Sequence, residues 1–290
     1  MKHLIPLVAL FLIIGLSSCE DVIQVKLDKG EPIITIDAFI NNLPSTQKIR
    51  LTKTSDYFSQ GSNVPISDAS VKITDIDTDI SYMFNEKSAG NYVYEPSVSD
   101  NFCKIGHRYE LTVTYQGQTF TATTRLNRTT KIDSLIAKYE DGGGFGNGET
   151  GYRFSFLGFD IPGDTIDYYW IKSYKNGVFF NKGSNINICI DAAYGNGADG
   201  FPFIPPIAEG ITPFGELFNK NDTCRVEIHS INRETFNFLT QVQNQTTNSG
   251  LFATNPENIK TNIRCTSNNQ VKVIGWFEMS SANFREKITP

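Results

Sequence analysis

Strict alternation of apolar and polar residues marks the first third of the chain. In ITIDAFI, Ile34, Ile36, Ala38 and Ile40 share one face; in ASVKITD, Val71 and Ile73 do; in RYELTVTY, Tyr109, Leu111, Val113 and Tyr115 do. A period of two predicts strands with one face buried. KIRLTKT, ISYMF, NYVYE and TFTATTRL read the same way, which gives about seven short strands between residues 32 and 126. Tyr115–Gln118, YQGQ, predicts a tight turn joining the last two as a hairpin. No helical period interrupts the series, and strands of this number and size predict an immunoglobulin-like β-sandwich over 32–126.

Asn127–Lys131, NRTTK, reads as a linker, and residues 131–290 as a second β-rich domain. IDSLIAKYE, YRFSFLGFD and DYYWIKSYKNGVFF predict its strands, with Asn176-Gly177 as a hairpin turn, and QVKVIGWFEMSSA returns to strand near the end. One segment breaks the β rhythm. In SINRETFNFLTQVQNQ, Phe236, Leu239 and Val242, with Phe238 beside them, fall on one side of a helix near 231–246, Ser230 stands at its cap and Glu234 in its first turn. A lone helix of this length is marginal in water, so it is expected to cover an apolar face or edge of the second sheet. The fold class is mainly β.

The N-terminus changes where such a fold is expected to reside. Lys2 is followed by thirteen uncharged residues, Leu4–Leu16, and then by the small residues Ser17 and Ser18, the pattern of a secretory signal over 1–18. A membrane-spanning helix needs about 20 apolar residues, and Glu20 and Asp21 end this run too early. Leu16-Ser17-Ser18-Cys19 resembles the bacterial lipobox, which makes Cys19 the expected lipid attachment site and residues 19–31 a lipidated tether. Several acyl chains, at about 0.8 kcal/mol per buried CH₂, hold a soluble domain at a membrane.

Composition narrows the chemistry. Without residues 1–18 the chain has 25 basic and 31 acidic residues and no basic cluster, so nucleic acid is not an expected partner. Cys103, Cys189, Cys224 and Cys265 lie in a compartment that permits disulfides; they read as structural thiols or as one or two bridges, with three pairings open. With no CxxC and only His107 and His229 beyond the signal, no zinc set is expected. Asp75, Asp77, Asp79 and Glu86 imitate the spacing of an EF-hand, but Ile80 replaces the required glycine and strands flank the loop, so an acidic turn is expected and no metal. Gly146–Gly151 has the letters GxGxxG yet precedes a strand, where a dinucleotide site needs a helix. GxSxG and HExxH are both missing. A non-catalytic protein without a cofactor is expected.

Two stretches suit binding. DYYWIKSY sets Trp170 among tyrosines on a strand, and GFPFIPPIAEGITPFGELF carries Phe201, Phe203 and Phe214 on a proline-stiffened segment that cannot be a central strand. Trp170, Phe201, Phe203 and Phe214 are therefore the candidate ligand or partner contacts.

The lipobox cysteine, PIITIDAFINN, KIRLTKTSDYF, ISDASVKITD, AGNYVYEP, IGHRYELTVTYQGQTFTATTRL, IDSL, FDIPGDTIDYYWI, the late helix and VIGWFEMSSA resemble, in order and wording, the DUF4249 family of Bacteroidetes lipoproteins. Gly275-Trp276-Phe277 keeps that family's GYF with tryptophan in place of tyrosine. The resemblance implies an outer-membrane lipoprotein that accompanies a TonB-dependent receptor and helps to capture a small-molecule, glycan or peptide nutrient. It implies no catalytic residues. A surface adhesion or envelope-structural module is the alternative expectation.

Overall fold

A computed structural model describes residues 31–55, 63–97, 100, 102–142, 149–163, 165–190, 200–248, 253–254 and 258–290. The expected signal segment, Cys19, the expected tether up to residue 30 and Gly146–Gly148 lie outside the described residues. No helix among those described is long and apolar enough to cross a membrane.

The alternating stretches form strands β1 (Ile34–Asn41), β2 (Gln47–Lys53), β3 (Val64–Pro65), β4 (Ser70–Asp75), β5 (Ile80–Ser88), β6 (Asn91–Tyr94), β7 (Arg108–Tyr115) and β8 (Gln118–Arg125). β5 pairs β4 through residues 80–84 and β6 through 85–88, so one strand runs from one layer into the other. The inward residues of both layers, among them Ile36, Ile49, Leu111 and Phe120, share one core. Gln116 and Gly117 both have positive φ, as the two-residue β7–β8 hairpin turn requires.

The second half supplies β9 (Ile132–Asp141), β10 (Thr150–Gly158), β11 (Tyr168–Lys175), β12 (Val178–Phe179), β13 (Asn187–Ile190), a five-residue helix α1 (Pro205–Glu209), β14 (Thr223–Ile231), helix α2 (Arg233–Thr247), β15 (Arg264–Cys265), β16 (Val273–Ser280) and β17 (Ala282–Ile288). Strands β12-β11-β14-β17, with β13 on β11, make a five-stranded sheet whose inner face packs with the β9–β10 hairpin around Phe154, Phe156, Tyr169 and Ile228. The Asn176-Gly177 hairpin forms as expected, with both residues at positive φ. Pro205 and Pro206 open α1, where a missing N–H costs nothing.

The division into 32–126 and 131–290 does not hold along the chain. β15 and β16 belong to the first sandwich: β15 pairs β8, and β16 pairs β1 in parallel. Val273, Phe277 and Met279 enter the first core, and the chain then passes through Ser281 directly into β17 of the second sheet. The 127–131 segment is likewise clasped: the Asn127 carbonyl accepts from the Ser230 and Ser281 hydroxyls at 2.9 and 2.7 Å, and Arg128 Nε donates to Asp167 at 2.9 Å. Cys103, Cys224 and Cys265 are buried free thiols, and Cys189 is buried in the second core.

Helix α2 sits where the halves meet. Its cap is Asn232, whose side chain accepts from Thr235 N at 2.7 Å, and not Ser230, which is the penultimate residue of β14. Phe236 packs on Tyr168 of the second sheet, while Phe238 stacks on Trp276 of β16 at 4.4 Å and 18°, so the helix covers both halves. Beneath its first turn lies Glu278. Thr124 Oγ1, Thr235 Oγ1 and Asn232 Nδ2 all donate to its carboxyl, and Trp276 Nε1 donates to Thr235 Oγ1 at 2.7 Å. Burial raises the Glu278 pKa from 4.5 to about 8, against the pull of these donors, so the acid is mostly neutral at pH 7.

Candidate functional site

In β1 the inward residues are Ile34, Ile36, Ala38 and Ile40; the outer face therefore carries Thr35, Asp37, Phe39 and Asn41. In β11, Tyr169 and Ile171 enter the second core, which leaves Trp170, Lys172 and Tyr174 on the opposite face. These two outer faces meet. The Phe39 and Trp170 rings touch edge-on with centroids 5.2 Å apart, and Phe39 lies 6.4 Å from Phe238. Phe179, brought back by the Asn176-Gly177 turn, packs against Tyr174 at 5.2 Å and faces Trp170 at 6.4 Å. Phe39, Trp170, Tyr174 and Phe179 are each half-buried, so the junction of the two faces keeps one side open to solvent; this partly open aromatic junction is termed the recess below.

The recess also holds charge. Lys172 places its ammonium over the Trp170 ring, 4.0 Å from the centroid, and 5.9 Å from that of Phe39. Burial lowers its pKa to about 8, partly offset by Glu227 and Asp37. Asp37 keeps solvent access, yet burial is the leading cause of its raised pKa, opposed by Lys172, Arg50 and Lys48. A carboxylate on an open-mouthed recess satisfies both observations. Among the described residues, neither Lys172 Nζ nor the Asp37 carboxylate has a hydrogen-bond or ion-pair partner.

Glu227, directly across from Lys172 on β14, does not fill that role. Its oxygens are taken by Arg225 Nε at 2.8 Å, His229 Nε2 at 2.9 Å and the Tyr174 hydroxyl at 3.0 Å. Burial pushes the Glu227 pKa up, but these partners outweigh it and bring it to about 2; burial drives His229 down to about 4, so at neutral pH an ionised Glu227 accepts from a neutral imidazole.

A groove of about 930 Å³ opens beside the recess, lined by Thr35, Phe238, Lys260, Arg264, Lys272 and Ile274 among others. Thr35 and Asp37 are alternate residues on one strand face, hence about 7 Å apart, so groove and recess adjoin along β1. Thr35 Oγ1 is buried with no hydrogen-bond partner among the described residues, an orphan that a polar ligand or water in the groove would satisfy.

The expected site residues do not converge. Trp170 lines the recess. Phe203 lies on the other side of its sheet, packed against Phe156 and Tyr169 at 5.5 Å each, and Phe201 and Phe214 point to solvent at 60 % and 76 % exposure. Asp37, Phe39, Lys172 and Phe179 were not singled out in the sequence, although Phe39 had a visible signal as the aromatic out of phase with the inward residues of its strand. In the acidic turn, Asp75 Oδ2 meets His107 Nδ1 at 2.8 Å, Asp75 Oδ1 accepts Asp77 N, and Asp77 accepts from Arg108 N and side chain at 2.7 and 3.0 Å. Asp75, Asp77 and His107 lie close enough to share an ion, but their donor atoms are engaged in knitting the turn.

Among solved structures, the FN1–FN3 domains of chicken CNTN1 share 9 % identity, with 71 % of this chain and 64 % of that chain covered and a TM-score of 0.22. A structure described as showing host cell surface retention of a 1.5-MDa bacterial ice-binding adhesin shares 11 % identity over 90 % of this chain and 65 % of that one, with a TM-score of 0.20. The chain spans less than two thirds of either, and likeness at these scores carries no functional argument. No curated protein matches the sequence. The DUF4249 model, described as a domain of unknown function, matches residues 20–285, and the chain belongs to that family.

Proposed function

We propose that this chain is a non-catalytic binding lipoprotein, tethered to the outer membrane through Cys19, that takes a ligand in the recess between its halves as an accessory to a TonB-dependent uptake system. The observation that carries this reading is the pairing of aromatic walls with two charged groups, Lys172 and Asp37, that have no hydrogen-bond or ion-pair partner among the described residues. Desolvated charges without partners are costly in a folded protein, and concave aromatic sites with a few convergent polar groups are the usual form of ligand pockets. The lipobox supports the anchor. The transporter partnership rests on the family resemblance.

Purification of the acylated protein from its own membranes in mild detergent is expected to bring down an outer-membrane barrel. Failure to retain any barrel, under conditions where the lipoprotein itself is recovered intact, would remove the transporter part of the proposal. A second reading, an adhesion or envelope-structural module, is favoured by the exposed apolar residues Phe159 and Phe201, which adjoin through the Asp160 N to Phe201 O hydrogen bond. It predicts that Phe201→Ser impairs surface attachment and leaves growth on every nutrient unchanged.

A further inference from the structure

The charge balance of the recess indicates what kind of ligand it takes. Lys172 projects from β11 on the wall opposite β1, and Glu227 is saturated by Arg225, His229 and Tyr174. On the other wall, Arg50 stands directly across from Asp37 in the β1–β2 pairing, and Lys48 is two residues further along β2 on the same outer face. Both basic side chains are exposed, and no hydrogen bond or ion pair engages either among the described residues. Three cations thus face one carboxylate, with Glu227 already neutralised by its own partners. Only Lys172 of the three is desolvated; the Trp170 ring lies directly beneath its ammonium, and the charges of Glu227 and Asp37 act on it without forming an ion pair.

Resting on the reading of the recess as a ligand site, we propose that the ligand is an organic carboxylate whose anionic group pairs with Lys172, while its body lies against Phe39 and Phe179 and offers a hydroxyl or N–H to Asp37. An ammonium already stripped of much of its water gains more from an incoming anion than an exposed one does, because part of the desolvation cost is met in the empty site. The aromatic walls suit the non-polar face of a sugar ring or an apolar side chain. Asp37 suits the neutral donors that either carries. A uronic-acid sugar and the free C-terminus of a short peptide share this chemistry.

The test uses the full chain in detergent, with binding followed by tryptophan fluorescence and equilibrium dialysis. Trigalacturonate and its methyl ester form one arm; the peptide Ala-Ala-Phe with a free C-terminus and its amide form the other. At least one acid is expected to bind at least tenfold more tightly than its neutral counterpart. Lys172→Met should abolish that preference and Lys172→Arg should retain part of it; neither should fall below the wild-type urea midpoint, and Lys172→Met, which removes a desolvated charge, should match or exceed it. Whichever arm shows the effect identifies the source of the carboxylate. If the neutral counterparts bind as tightly as the acids, and Lys172→Met binds like wild type, the carboxylate assignment is wrong and the recess still stands as a site. If no probe binds, acid or neutral, the recess reading fails with it.

Discussion

Gly275→Ala is expected to destabilise the protein by roughly 4 kcal/mol or more, a large part of the ~5–15 kcal/mol that holds a typical domain together. Gly275 has φ +113°, which L side chains rarely adopt. A Cβ there would stand 1.9 Å from the carbonyl oxygen of Ile36, 2.7 Å from its carbon and 2.9 Å from its nitrogen. All three are backbone atoms of the paired strand, so no rotamer change relieves the clash. Only separation of β1 from β16 does, and that opens the first core at Phe277 and Met279. Gly117→Ala is the control: it also requires positive φ, at +76°, but meets nothing within 4 Å, so a cost near 1 kcal/mol is expected. Urea midpoints of the two variants check this. Equal losses would mean that backbone conformation alone, and not the close approach of β1, fixes the glycine.

Glu278→Gln is expected to change the pH dependence of stability. The folded-state pKa of Glu278 is about 8 against an ordinary 4.5. Its proton is therefore retained in the fold and lost from the unfolded chain between those values, so the contribution of Glu278 to stability is greatest below pH 4.5 and falls as pH rises toward 8. His229, lowered to about 4, and Lys172, lowered to about 8, have the opposite sign: stability rises with pH, for His229 up to about 6.5 and for Lys172 above about 8. The interval from about pH 6.5 to 8 is left chiefly to Glu278, and at about 1.4 kcal/mol per pH unit the wild type should lose about 2 kcal/mol across it. Glutamine keeps the shape, and its carbonyl can accept from Thr235, Thr124 and Asn232, but it cannot ionise. Its stability should be nearly flat over the same interval. Glu278→Leu should instead lose stability at every pH, because those buried donors are left without an acceptor. A wild type as flat as the glutamine variant would show that Glu278 is ionised in the fold.

Much of the architecture was legible because half-buried strands write their period into the chain. β1, β4 and β7 alternate cleanly, and both two-residue hairpins were marked by glycine. β16 was assigned to the wrong half for a physical reason: it is buried on both faces, Phe277 and Met279 inward and Trp276 and Glu278 under α2, so its pattern says nothing about its neighbours. Its partner β1 lies more than 200 residues away, and a parallel pairing at that distance leaves no local trace. The cap of α2 was misplaced by two residues because Ser230 and Asn232 are both good caps, and only the run of β14 decides between them. Trp170 was found from its aromatic setting. Lys172 and Asp37 were not, since an unpaired charge is recognisable only once the positions of all its possible partners are known.

Native mass spectrometry distinguishes a ligand held in the recess between the halves from one held elsewhere on the protein. The full-length protein is purified from the membrane fraction of cells that express it natively, as wild type, Trp170→Ala and Phe214→Ala, the last removing an exposed ring on the segment that packs against the other face of the sheet. A bound mass present in wild type, kept by Phe214→Ala and lost from Trp170→Ala with its fold intact, is the predicted result. A bound mass that survives Trp170→Ala but disappears in Phe214→Ala, or no bound mass in any of the three, would contradict it.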